Sequence, residues 1–120
     1  MVLALASPML SYEKLDVYQA AIEFLAVGTR IIASLPKGNA GLADQLRRAA
    51  MSIPLNIAES SGKPTLKDRR RFVAIARGSA MECGAILDVC RVLELSDDQA
   101  VDRGKQLLVR IVSMLTKMCR

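Results

Sequence analysis

The sequence predicts an all-α fold, an antiparallel up-down-up-down four-helix bundle, on three observations. Apolar residues recur at steps of three and four through four separate stretches. Alternating β-branched runs are absent, while Ala, Leu and Met, all good helix formers, are well represented. The connections between the stretches are short, which sets consecutive helices antiparallel. At 120 residues, 52% hydrophobic and 24% charged, the chain reads as one folded domain and not a disordered one. Aromatics are only 3%, with no Trp, so the core is aliphatic.

Residues 1–11 read as an apolar N-terminal tail, and residues 12–120 as the bundle. The segment MVLALASPML is too short to span a bilayer and lacks the basic start of a signal peptide. It reads as a loosely docked tail or as a strip for a neighbouring subunit. No membrane association is expected.

The first helix is expected from Ser11 or Tyr12 to Leu35, because Pro36 disfavours helix at the residue before it. Leu15, Tyr18, Ile22, Leu25, Thr29 and Ile32 form one stripe. Val17, Ala21, Phe24, Gly28, Ile31 and Leu35 form a second beside it. Two adjoining stripes bury more than a narrow seam, as in a bundle member or an oligomer interface. Pro36, Lys37, Gly38 and Asn39 make a turn, with Asn39 placed to cap the next helix.

That second helix organises the chain. Leu42, Leu46, Ala49 and Ile53 give its apolar stripe, and Arg48, Ser52, Asn56 and Glu59 give a polar ladder beside it. Pro54 falls inside the pattern, where it removes one N–H. The helix should end near Glu59 or Ser60, before the loop of residues 60–64. Thr65 then caps a third helix, with Asp68 three residues on. The predicted seam there is Phe72, Ala76, Ser79, Cys83, Ile86, Cys90 and Leu93. Ser96 to Gln99 reads as a capping box for a fourth helix, with Val101, Gly104, Leu108, Ile111, Leu115 and Met118 on its seam. Lys117 and Arg120 sit near the negative end of its dipole.

Antiparallel pairing of the second and third helices predicts an Arg48–Glu82 ion pair. It sets Asn56 near residues 69–72, as a register-fixing residue. It leaves Glu59 held by an arginine of the third helix or by a loop amide. Together with Ser52 and Ser79 these form a structural polar network that aligns the helices. A ligand site is the functional alternative.

Three stretches resemble a known family. Residues 12–20, YEKLDVYQA, resemble its first-helix signature. Residues 41–59, GLADQLRRAAMSIPLNIAE, resemble its core motif, and FVAIARGS at 72–79 with Glu82 resembles its third-helix signature. The family is the four-helix-bundle proteins, also called ribosomal RNA intervening-sequence proteins. The resemblance implies a bundle assembled into a ring, typically a homopentamer, and bacterial genes lying inside ribosomal RNA intervening sequences. It implies kinship to the accessory protein of diversity-generating retroelements, a basic bundle that works with a reverse transcriptase and nucleic acid. It attaches no enzymatic activity. Ser60 replaces the usual Gly after the Ala-Glu pair, and Ala80 and Met81 replace the usual Leu, which bears on loop geometry and packing.

Between Asp44 and Arg77 stand eight basic residues against three acidic ones. The excess of five equals the net charge of the whole chain. Arg69, Arg70 and Arg71 near a helix start oppose the dipole preference for acids. The candidate nucleic-acid contacts are Arg47, Lys63, Lys67, Arg69, Arg70, Arg71 and Arg77. No aromatics interleave with them, which argues against base stacking. The cluster reads as an RNA or DNA backbone site, as a solvated surface, or as a dock for an acidic partner such as a reverse-transcriptase-like protein. Self-association is expected from the apolar excess, with a mean hydropathy of +0.26.

No catalytic residues, cofactor or metal are expected. There is no His, and Cys83, Cys90 and Cys119 make no metal-binding spacing. They read as reduced thiols of a cytoplasmic protein. Glu59 and Glu82 have no nucleophile beside them, and Ser79 lacks a nucleophile-elbow frame.

Overall fold

The apolar steps of three and four become helices as expected. The computed structural model describes residues 10–120. A 3₁₀ turn, Ser11–Lys14, precedes α1 (Asp16–Ser34), α2 (Ala40–Ser61), α3 (Leu66–Val92) and α4 (Asp98–Met118). No strand occurs among the described residues. All but the last two residues of the expected tail lie outside them.

The expected first helix is broken at Leu15, which is extended at φ −74° and ψ 129°. Side chains explain the break by taking backbone partners a helix would use. The Glu13 carboxylate accepts from the Leu10 N–H at 2.7 Å, and the Gln19 amide donates to the Glu13 carbonyl at 2.9 Å. Tyr12 packs edge-on against Tyr18, with centroids 4.8 Å apart. At the far end Leu35 is extended before Pro36, as steric crowding requires.

Asn39 does not cap α2. Its side chain donates back to the Pro36 carbonyl at 2.9 Å, while Gly38 supplies the turn with φ +95°. Thr65 does cap α3, accepting from the Asp68 N–H at 3.2 Å. α3 stops before Glu94, which takes a left-handed φ of +56°. Leu95 N–H then bonds the Cys90 carbonyl and Glu94 N–H the Arg91 carbonyl, a Schellman closure. The expected Ser96 capping box is not formed. Asp97 is the N-cap without a side-chain bond, and Ser96 Oγ is buried without a partner.

The core gathers Val17, Ala21, Phe24, Val27 and Ile31 of α1 with Leu46, Ala49, Ile53 and Ile57 of α2. Val73, Ala76, Ala80, Cys83, Leu87 and Cys90 of α3 join Val101, Leu107, Leu108, Ile111 and Leu115 of α4. Of the expected α3 seam, Ala76, Cys83, Ile86 and Cys90 are buried, and Val73, Ala80 and Leu87 widen it. Phe72 and Ser79 lie at its rim and Leu93 is 59% exposed. α3 packs on both α2 and α4, so it buries the ridge between them instead of one narrow stripe. On α4, Leu107 joins the seam and Met118 is exposed. Gly104 is required by close approach: a Cβ there would stand 2.8 Å from Leu87 Cδ1 and 3.4 Å from Phe24 Cε1.

Cross-helix bonds fix which residues share a level. Gln45 meets Glu82, Ser52 meets Ser79, and Ser60 Oγ donates to the Arg69 carbonyl at 2.9 Å. Between α3 and α4, Arg91 meets Asp102, Lys105 meets Asp88, Arg77 meets Thr116, and Arg70 meets Arg120. In each series the numbers rise on one helix as they fall on the other. One end of the bundle thus collects the α2–α3 loop, the start of α3 and the last residues of α4.

Candidate nucleic-acid interface

At that end the first two turns of α3 present three consecutive arginines, all exposed. Each is steadied by something other than an Asp or Glu side chain. Arg69 Nε donates to the Lys63 carbonyl at 2.6 Å. Arg70 Nη2 donates to the Arg120 backbone oxygen at 2.8 Å. The Arg71 guanidinium lies 4.9 Å from the centroid of Phe72, and Lys63 Nζ lies 5.0 Å from the same ring. Among the described residues, none of the three forms an ion pair with an Asp or Glu side chain, nor does Lys67.

The seven expected contacts do not all meet. Lys63 belongs to the patch but is partly neutralised by Glu59, 3.3 Å away. Arg77 is half-buried in the α3–α4 seam, its Nε donating to Thr116 Oγ1 at 2.8 Å. It lies about 9 Å along α3 from Arg71 at the helical rise. Arg47 is separate: it pairs with Asp44 at 2.9 Å. Arg47 stands about 21 Å along α2 from Ser61, the helix end that leads into Lys63. Closeness in sequence suggests that it belongs to the cluster, and helix geometry removes it. Conversely, Lys117 and Arg120 are exposed at this end, brought in by α4. The basic end of α4 is the signal for them in the sequence, though the helix dipole alone also accounts for it.

The opposite end is different. Arg91 pairs with Asp98 at 3.3 Å and Asp102 at 2.5 Å, Lys105 with Asp88 at 2.6 Å, and Arg103 with Glu23. The Asp102 hydrogen bond, first among its causes, raises the Arg91 pKa above the ordinary value. Arg91, Lys105 and Arg103 have partners there, while the exposed Arg30 and Lys37 form no ion pair among the described residues; what sets the α3 start apart is three arginines in succession without a side-chain carboxylate.

The polar ladder forms in part. Ser52 and Ser79 hydroxyls meet at 2.7 Å across α2 and α3, and Asn56 Nδ2 donates to Ser52 Oγ at 2.9 Å and to the Ser52 carbonyl at 2.8 Å. Asn56 therefore turns along its own helix and does not reach residues 69–72. The expected Arg48–Glu82 pair is not formed. Glu82 accepts from Gln45 at 3.3 Å instead. Arg48 and Glu82 are both exposed on a shallow concavity of about 280 Å³, where water competes with the pair. Glu59 is held by Lys63, not by an arginine or a loop amide. Ser60, which stands where the resemblance expects Gly, is buried and ties α2 to the α3 start.

Glu59 lines a second concavity with Leu55, Ala58, Gly62 and Lys63, away from Glu82 and Ser79. No group of three His, Cys, Asp or Glu that could hold a metal occurs among the described residues. No described helix is long and apolar enough to cross a membrane.

The cysteines are free, with Cys83 and Cys90 buried. Burial, then the Glu82 charge, pushes the Cys83 thiol from 9.0 up to about 12. A raised native pKa contributes stability that is fully present below pH 9 and is lost as pH climbs toward 12. Denaturant titrations at pH 8 and above 10 should show this loss, at most about 1.4 kcal/mol per pH unit. Cys83→Ala should flatten that part of the profile, and native Cys83 should resist alkylation that labels half-buried Cys119.

The family model described as 23S rRNA-intervening sequence protein matches residues 13–117. A comparison with curated proteins finds no match. The matched span reaches into all four helices, and the signature stretches lie on the 3₁₀ turn with the start of α1, on α2 and on α3. The chain belongs to the 23S rRNA-intervening sequence protein family.

Proposed function

We propose that this is a non-enzymatic, oligomeric bundle protein that binds the phosphate backbone of RNA or DNA. The contacts are Lys63, Lys67, Arg69, Arg70 and Arg71, extended by Lys117 and Arg120, with Arg77 at the margin. The observation that carries the reading is the arginine triplet: three adjacent guanidinium groups, held by backbone oxygens and a ring, with no side-chain carboxylate among the described residues as counterion. Such a cluster binds polyanions by releasing their counterions, without reading sequence. The family's description, which names a ribosomal RNA intervening sequence, agrees with an RNA-related role.

The opposed numbering of the cross-helix bonds supports an antiparallel, up-down-up-down bundle. Met51 and Leu55 are 43% and 59% exposed on α2. An apolar groove between α3 and α4 is lined by Met81, Gly84, Leu108, Val109 and Val112. Both support a homo-oligomeric ring, in which the patches repeat and their fields add. Separation of Glu59 from Glu82 supports the absence of catalysis.

Fluorescence anisotropy with labelled RNA across a salt series tests this reading. Affinity should fall log-linearly with salt, at about 0.9 in slope per duplex phosphate neutralised. Absence of binding at low salt, with an acidic protein partner captured by the same cations, would replace nucleic acid with a docking role.

A further inference from the structure

The patch has charge but no stacking platform. The chain has four aromatic residues, and residues 1–9 contain none of them. Phe24 is fully buried. Phe72 lies inside the patch, yet its ring is engaged by both Lys63 and Arg71. Tyr12 and Tyr18 are half-buried and packed on each other. A protein that holds single strands recovers about 1–3 kcal/mol per stacked base. Here no free ring face offers that return, and an ordered strand would still lose its conformational freedom.

The cations are also held in place. Arg69 is tied to the Lys63 carbonyl, Arg70 to Arg120, and Arg71 to the Phe72 ring. Fixed charges suit a polyanion whose phosphates are fixed as well, because neither side must be ordered on binding. A duplex also carries one charge per about 1.7 Å of axis, twice the density of one of its strands.

We infer that the arginine end of the bundle binds double-helical nucleic acid in preference to single strands, through phosphates alone and with the bases left stacked. This rests on the phosphate-binding reading above and names the form of its ligand.

The experiment compares a mixed-sequence RNA strand, free of self-pairing, with its duplex at one low salt concentration. Each carries a single 2-aminopurine, and binding is read by anisotropy. The expected result is duplex affinity at least about tenfold above that of the strand, with a steeper salt dependence (about 0.9 against 0.7 per phosphate) and unchanged 2-aminopurine emission. Equal or tighter binding of the strand, a rise of 2-aminopurine emission in the duplex as a base leaves the stack, or quenching in the strand as a base stacks on the protein, overturns the inference while phosphate binding itself stands. Failure of both forms to bind overturns the phosphate reading and this inference with it.

Discussion

Replacing Arg69, Arg70 and Arg71 together by glutamine should lower the slope of log affinity against log salt by close to three, about 0.9 for each phosphate no longer neutralised. Affinity should weaken alike for every sequence tested, since backbone contacts carry no base information. Glutamine keeps most of the side-chain length and removes the charge. The three side chains are exposed, and the Thr65 cap that starts α3 is untouched. The variant should therefore fold, which circular dichroism can verify. Glutamine at Arg47 and Arg48 is the matched control. Those residues lie at the level of Glu82, and Arg47 is already neutralised by Asp44. Binding there should change by less than about twofold, because surface charges beyond a Debye length of about 8–10 Å are screened. An equal loss in both variants would mean that total charge, not the α3 start, governs binding.

Phe24→Ala should be the most destabilising single truncation, at about 3–5 kcal/mol. Phe24 has no exposed surface, and its ring edge lies against the position where Gly104 lacks a Cβ. α1 and α4 are brought together there, so the cavity cannot close without moving both. At about 4–8 °C per kcal/mol in a domain near this size, the melting temperature should fall by at least about 12 °C. Phe72→Ala should cost much less, because that ring is only half-buried at the rim of α3. Comparable losses from the two would contradict the placement of the core.

Most of the fold can be read from spacing and punctuation. Pro36, Gly62 and Pro64 interrupt helical patterns where the chain turns, and Thr65 marks the α3 start through a local bond any Thr can make. Local competition between side chain and backbone is harder to see. The break at Leu15 depends on where Glu13, Gln19 and Tyr12 point, which no periodicity encodes. The widening of the α3 seam to Val73, Ala80 and Leu87 depends on its having two partners, α2 and α4, and a single stripe cannot express that.

The site is legible only as composition. A run of arginines is evident, but its membership depends on which helix ends meet. Arg47 leaves the group because α2 carries it away, while Lys117 and Arg120 enter because α4 returns to the α3 start. The Arg48–Glu82 expectation has the level nearly right, as the Gln45–Glu82 bond shows. It fails because both groups stand in water, where long side chains gain little from pairing. Ser60 is visible in the sequence as a departure from the usual Gly, but its role is not, because a buried serine looks like any other until its carbonyl partner, Arg69, is known.

The most direct measurement is a backbone amide NMR titration of the labelled protein with a short RNA at low salt. Shifts are expected to centre on residues 63–71 and 116–120, with Arg77 at the margin, and to reverse as salt is raised. Shifts centred instead on residues 44–48 or on the ion-paired end at residues 88–103 would contradict this expectation, as would a spectrum that RNA leaves unchanged.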